Sequence, residues 1–387
     1  MFETYTLLTL QQYWWVIISL LGGLLAALMF VQGGQSMIYQ AGKTDLERTM
    51  IVNALGHKWE LTFTTLVVFG GAFFASFPLF YSTSFGGAYW VWMAILFFFV
   101  IQAVSYEFRT KANNLLGQNT YQNFLLVNGI GAPLFIGVAV STFFTGSQFV
   151  LGTDSVSGIM TPEWKGGFGG LELAFDLSSY TTYINLSLGL AMVFLTRVLG
   201  AMFLKTRITS DEITARVSRI IRRESPFFLL FFLFFLLNIL LRSGYAYDSD
   251  GLIYLENFKY LHNLVQMPLV FAVLLLGVGL TLTGIILSGY TTIRRGFFYS
   301  GAGVVLVVFA LLLTAGLNNT VYYPACGQYI QNGLTIQNSS SGRYTLTVMS
   351  YVSLFIPVVV AYIAYVWYSM DKKRIDKQNI KEDNHTY

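Results

Sequence analysis

The chain has 387 residues, of which 55% are hydrophobic, 17% aromatic and only 11% charged, with a formal net charge of +4. Soluble domains carry about 25% charged residues, so this composition excludes a disordered chain, a coiled coil and a nucleic-acid binder, all of which need more Lys, Arg or Glu. One cysteine, Cys326, excludes an internal disulfide framework, and His57, His262 and His385 are too few for an elaborate metal centre.

What remains is an integral membrane protein. Roughly 17–25 apolar residues cross about 30 Å of hydrocarbon, and nine such runs are read along the chain. They are Tyr13–Val31, Leu61–Tyr81, Ala88–Tyr106, Asn123–Phe144, Thr181–Leu204, Pro226–Leu241, Leu264–Tyr290, Phe297–Leu317 and Leu346–Met370. The sixth is short and is expected to borrow turns from its flanks. Alternating hydrophobicity, the mark of a membrane β-barrel, is absent, and FFLLFFLFFLLNILL at 227–241 is continuous. The expectation is an all-α membrane bundle. Residues 1–370 then form one polytopic domain, with halves at about 1–144 and 181–317 and a ninth helix at 346–370. Residues 371–387 form a tail.

The connections set the orientation. Those after the first, third, fifth and seventh runs, together with the tail, hold 18 of the 23 Lys and Arg. The other face holds Lys165, Arg242, Lys259 and Arg343. By the positive-inside rule the N-terminus lies outside and the C-terminus in the cytoplasm. The first twelve residues lack Lys and Arg, so no cleaved signal peptide is expected. Between the fifth and sixth runs, Ser210-Asp211-Glu212 opens an acidic first turn, and Arg219, Arg222 and Arg223 precede Pro226. With Ile213, Val217, Ile220 and Ile221 on one face, 210–224 is predicted to be an amphipathic helix on the membrane surface; an ordinary solvated connector is the alternative. The outer segments 145–179 and 318–345 are expected to be Gly-, Asn- and Ser-rich loops.

Little chemistry is visible. No phosphate-binding Gly-x-x-x-x-Gly-Lys-Ser/Thr string occurs. Gly22-Gly23 and Gly70-Gly71 are read as sites of close helix packing. Haem requires axial ligands within the membrane, and His57 and His262 fall at span ends on opposite faces. Arg197 is the one charged residue inside a predicted run. It is expected to snorkel or to bond neighbouring carbonyls, with a catalytic role the less favoured alternative. Glu60 is a candidate proton relay, or simply a carboxylate favoured by a helix N-terminus. Glu107 and Arg109 are expected to pair. From the residues alone, the reading is a passive or partner-dependent membrane subunit.

Particular strings are more telling. Asp45-x-Glu47-Arg48 with Asn53, then Trp59-Glu60 and GGAFFASFP at 70–78, resembles subunit II of the cytochrome bd quinol oxidases. So do Glu107-Phe108-Arg109-Thr110-Lys111, TAG at 314–316 and the run at 346–370. Lys373-Arg374-Ile375 and His385-Thr386-Tyr387 resemble the family's tail. The likeness spans about Trp14 to the terminus and is weakest between 145 and 300. Two departures stand out. Gln32-Gly33-Gly34-Gln35 replaces the family's Asp-Gly-Phe-Asp, and Leu61-Thr62-Phe63-Thr64-Thr65 replaces Gly-Asn-Gln/Glu-Val-Trp.

The resemblance implies two four-helix bundles plus a peripheral ninth helix, in a bacterial cytoplasmic membrane. It implies a haem-free chain, itself without catalytic residues or metal, beside a larger subunit I that carries haem b and haem d and binds the quinol. The complex would oxidise quinol and reduce oxygen to water. Glu60 is then the candidate proton path. Trp59, Glu107, Arg109, Lys111, Gly70 and Gly71 are the structural or assembly candidates, and a structural quinone or lipid is allowed. A secondary transporter and a purely structural membrane subunit remain the alternatives.

Overall fold

A computed structural model describes residues 2–111, 114–153, 160–372 and 374–376. Inside hydrocarbon the backbone must satisfy its own hydrogen bonds, and the long apolar runs do so as helices. Helix α1 (Leu7–Leu28) starts where the Thr6 hydroxyl accepts the Thr9 N–H, and after Met29 the chain continues as α2 (Phe30–Gln35). Helix α3 (Asp45–Gly56) opens on a capping box between Thr44 and Glu47. Helix α4 (Trp59–Ser76) stops at Phe77, the residue before Pro78. There follow α5 (Tyr89–Phe108), α6 (Gln118–Thr145), α7 (Tyr180–Arg207), α8 (Asp211–Leu241), α9 (Pro268–Tyr290) and α10 (Gly296–Gly316). The chain closes with α11 (Arg343–Ser353) and α12 (Ile356–Met370).

Among the described residues, eight helices are long and apolar enough to span a membrane, or nine if α11 and α12, bent by 40°, are counted as one. Helix α7 is the hub, packing on α2, α6 and α8; α10 packs on α1 and α9, and α5 on α6. Backbones meet closely where glycine permits it. A Cβ on Gly33 of α2 would lie 1.8 Å from the Thr196 carbonyl oxygen of α7, and one on Gly23 of α1 would lie 2.6 Å from the Val305 carbonyl oxygen of α10. Gly71 differs, with nothing within 4 Å of its Cβ position, so its face of α4 is open rather than packed against this chain.

The two ends of the bundle differ chemically. At the basic end Lys58 and Arg207 both pair with Asp371, at 3.1 and 3.4 Å, and the strand-like segment around Ile375 bonds Arg207 and Thr209. At the opposite end lie two antiparallel hairpins, β1 (Phe149–Thr153) with β2 (Met160–Trp164) and β3 (Gly244–Tyr247) with β4 (Ile253–Glu256). The segment 318–340 lies against them, through Val321 on Tyr245 and Cys326 on Ser147. The two outer segments expected to be loops therefore contain local pairing, and β3–β4 occupies a stretch where the sequence showed no strand signal.

One expected element is corrected. Residues 210–224 are not a separate helix on the membrane surface. They are the first half of α8, which runs 31 residues straight through Pro226. Ile213, Val217, Ile220 and Ile221 are buried inside the protein, so the apolar face that suggested a lipid surface is satisfied by neighbouring helices instead. The proline removes one backbone donor, and helix packing makes that loss tolerable. His385-Thr386-Tyr387 falls outside the described residues.

Candidate functional site: a buried polar seam and an ion-pair clamp

Helix α5 presents Phe98, Gln102, Tyr106 and Arg109 at helical spacing, and the last three are at most 2% exposed. Each meets a polar partner from another helix. The Phe98 carbonyl accepts from Asn128 Nδ2 of α6 at 2.9 Å, and Gln102 Oε1 accepts from Gln32 Nε2 of α2 at 3.4 Å. Tyr106 accepts from Gln35 Nε2 at 2.8 Å, and Arg109 Nη2 donates to Thr49 Oγ1 of α3 at 3.1 Å. Trp59, at the start of α4, stacks on Tyr106 with ring centroids 5.6 Å apart and planes 10° apart. From Phe98 to Arg109 the stripe rises about 16 Å at ~1.5 Å per residue. It runs from mid-bundle to the basic end.

The seam is under-satisfied. Gln32 Oε1, Gln35 Oε1, Trp59 Nε1, Gln102 Nε2 and Asn128 Oδ1 are buried without a hydrogen-bond partner in the protein. Each such atom costs about 1–3 kcal/mol unless something else bonds it. Burial also draws the Arg109 guanidinium down to about 10, against the pull of Tyr106, Asp45 and Tyr39.

Beside the seam sits a clamp that the sequence reading did not anticipate. Of the two expectations for Arg197, snorkelling is not met, while a bond to a neighbouring carbonyl is, Nη1 donating to the Ser36 carbonyl at 3.2 Å; the main contact is a buried bidentate ion pair with Glu224 of α8, Nε–Oε2 at 2.6 Å and Nη2–Oε1 at 2.7 Å. Arg197 Nη1 also donates to Ser36 Oγ at 2.7 Å, and its Nη2 to Gln40 Oε1 at 2.7 Å. Arg223 adds a second cation to Glu224 at 3.0 Å. The clamp thus ties α7, α8 and the segment after α2. Lys58, Arg109, Lys205 and Arg207 are buried as well, so buried ionisable groups are more numerous than the apolar runs implied. A signal for Glu224 did exist: it continues the stripe of Ile213, Val217 and Ile220 at spacings of three to four, and a carboxylate on an apolar face needs a cation. Ser36, Gln40, Gln102 and Asn128 carry no comparable mark.

The remaining predicted residues separate. Glu60 follows Trp59 but is exposed on α4, so it faces away from the seam that Trp59 lines. Glu107 pairs with Lys111 at 3.3 Å, both side chains exposed, and not with Arg109 as expected; two residues of helical rotation turn Arg109 inward. Gly70 is buried with Phe85 at ordinary contact, while Gly71 is open.

Two further features bear on cofactors. An apolar cavity of about 370 Å³ lies at the centre, lined by residues including Leu25, Ile136, Leu188, Leu233, Val278 and Leu311. His57 follows α3 at the basic end, whereas His262 bonds Glu256 at the opposite end. The described histidines do not converge on the cavity and supply no pair of haem axial ligands. Among the described residues no three His, Cys, Asp or Glu side chains cluster as a metal site.

Residues 10–370 match the family model described as cytochrome bd terminal oxidase subunit II. The chain is 24% identical over 382 residues to cytochrome bd-I ubiquinol oxidase subunit 2 of Escherichia coli strain K12, covering 97% of this chain and 98% of that protein. It is 23% identical to cytochrome bd ubiquinol oxidase subunit 2 of Bacillus subtilis strain 168, covering 95% and 97%. A chain in the structure of bd oxidase from Geobacillus thermodenitrificans superposes with a TM-score of 0.61 at 16% identity, covering 94% of this chain and 100% of that one.

Proposed function

The chain belongs to the cytochrome bd terminal oxidase subunit II family, and from that premise we propose that it is the haem-free partner of a haem-bearing subunit I in a quinol oxidase of a bacterial cytoplasmic membrane. The complex oxidises quinol and reduces oxygen to water; haem b, haem d and the quinol-oxidising site belong to subunit I. The basic end faces the cytoplasm, and the helices form two four-helix bundles with α12 peripheral. The observation that carries the haem-free reading is the separation of His57 and His262 by the length of the bundle, alongside a family match over nearly the whole chain.

The seam supports a second role, delivery of protons toward subunit I. Five unpartnered buried polar atoms along the seam suit a file of bound water. Gln32, Gln35, Gln102 and Asn128 hold such water in place but do not titrate, so any proton crosses on water. Glu60, next to Trp59 but turned outward on α4, is the candidate carboxyl that would pass protons round Trp59 to the mouth of the seam. This polar seam favours the conducting reading over a purely structural subunit. Trp59 and Arg109 position the seam, the Glu107–Lys111 pair caps α5, Gly70 packs α4 on Phe85, and Gly71 belongs to the face that meets subunit I. The central cavity accepts an isoprenoid or acyl tail.

An affinity-tagged chain purified in mild detergent tests the assignment. It should bring down a haem-bearing chain with b- and d-type absorption, and should itself be colourless once that partner is removed. Haem retained stoichiometrically by the isolated chain would refute the assignment.

A further inference from the structure

Several buried or half-buried acids at the basic end are held by cations. Arg197 and Arg223 hold Glu224, Lys58 and Arg207 hold Asp371, and Arg216 holds Glu47. A second group of cations is not paired in this way. Among the described residues neither Arg222 nor Arg294 nor Arg295 forms an ion pair, and Arg222 and Arg295 are exposed. Arg222 and Arg294 both lie near Lys205, and Arg295 follows Arg294 in the same turn; Arg294 Nη1 also donates to the Ile208 carbonyl at 3.2 Å. Lys205, buried beneath them with its Nζ on the Ser288 and Thr291 carbonyls at 2.6 and 2.8 Å, lies within Coulombic reach of both Arg222 and Arg294. The Arg222 stem passes Gly289 near the end of α9, 3.4 Å from where a Cβ would stand. Four like charges held together without an acid repel one another and favour an anion.

Their position says which anion. Arg222 is the last cation before Pro226 that no acid holds, Arg223 being paired with Glu224, and the apolar part of α8 begins there with exposed Phe227 and Leu230; Arg294 and Arg295 sit in the turn after Tyr290, itself 67% exposed. Above the cluster, toward mid-membrane, Leu233 lines the central cavity and is 49% exposed, so the cavity reaches the surface between α8 and α9. A free phosphate has no use for that apolar groove, whereas a lipid does.

We propose that Arg222, Arg294 and Arg295, backed by Lys205, bind the phosphodiester headgroup of an anionic phospholipid whose acyl chain lies in the α8–α9 groove. The proposal rests on the tail-binding reading of the cavity for the acyl chain only; the headgroup site stands on the cations.

The test uses the assembled oxidase, purified and reconstituted with phosphatidylcholine alone or doped with phosphatidylglycerol, with bound lipid counted by mass spectrometry. The parent complex should retain phosphatidylglycerol in preference. R222Q/R295Q should lower its affinity roughly 25-fold, from about fivefold per cation, with the haem spectrum unchanged as proof of assembly. K43Q/R48Q, which removes two cations at the start of α3 on the same end, should leave it intact. Binding by R222Q/R295Q within twofold of the parent overturns the site, as does inorganic phosphate competing as well as the lipid. A parent that retains lipid without headgroup preference also refutes the site while leaving the cavity reading standing. Headgroup preference with the cavity shown empty refutes the cavity reading alone.

Discussion

Replacing Arg197 with methionine removes a guanidinium that makes two bonds to Glu224, one each to Ser36 Oγ and Gln40 Oε1, and a longer one of 3.2 Å to the Ser36 carbonyl. Glu224 is 2% exposed and would keep only Arg223, whose side chain is 63% exposed and screened by solvent. Breaking one side of a buried pair costs about 3–5 kcal/mol, most of it from the charge left behind. For a chain of this size the loss corresponds to a fall in melting temperature of about 4–6 °C. Glu224→Met leaves Arg197 charged against Ser36 and Gln40 and should cost a similar amount. The double variant R197M/E224M removes both charges and should recover much of the loss, so the two effects should be strongly non-additive. Thermal unfolding of the purified complex, followed by tryptophan fluorescence and loss of haem absorption, measures all three. Unchanged melting in the single variants, or a double variant that loses the sum of the two, would refute the clamp as the tie between α7, α8 and the α2 end.

Glu60→Gln should leave assembly and haem content intact but slow oxygen uptake or charge separation roughly tenfold or more, with Glu60→Asp retaining most of both; parental rates in proteoliposomes of the Gln variant would remove the relay. Gly71→Leu should reduce recovery of the haem-bearing partner in a pull-down, because its Cβ position is open only on the outward face, whereas Ala361→Leu on exposed α12 should not; equal recovery counts against that face. Outside the spans, burial pushes the Glu256 carboxyl up, but hydrogen bonds from His262 and Lys259 outweigh it and hold it below the ordinary range. Because its folded value is depressed, its contribution is complete above the unfolded value of about 4.3 and is lost as pH falls through the folded one. Proteolysis of the 244–266 region should therefore accelerate in acid below about pH 4, and Glu256→Gln should abolish that acid dependence.

How much was legible in the sequence follows from the kind of interaction involved. A span is a local property: some twenty apolar residues in a row meet hydrocarbon wherever they sit, so the helical membrane class and the segregation of Lys and Arg to alternate connections were readable from Tyr13 to Met370. The family likeness was readable for a similar reason, being carried by short strings such as Trp59-Glu60 and Glu107–Lys111. What joins distant segments was not. Arg197 finds Glu224 twenty-seven residues away and Ser36 one hundred and sixty-one residues away, and only the packing of α2, α7 and α8 makes those three one cluster. Helix rotation decided that Arg109 turns inward to Thr49 while Glu107 stays out with Lys111, a difference of two residues that spacing alone assigned to one ion pair. The same rotation sent Trp59 into the seam and Glu60 to the surface. Amides leave no mark in a hydropathy profile, so the alignment of Gln32, Gln35, Gln102 and Asn128 along one face of α5 is a fact of tertiary structure. Gly33 and Gly129 let α2 close on α7 and α6, and that packing brings Gln32, Gln35 and Asn128 together beside α5.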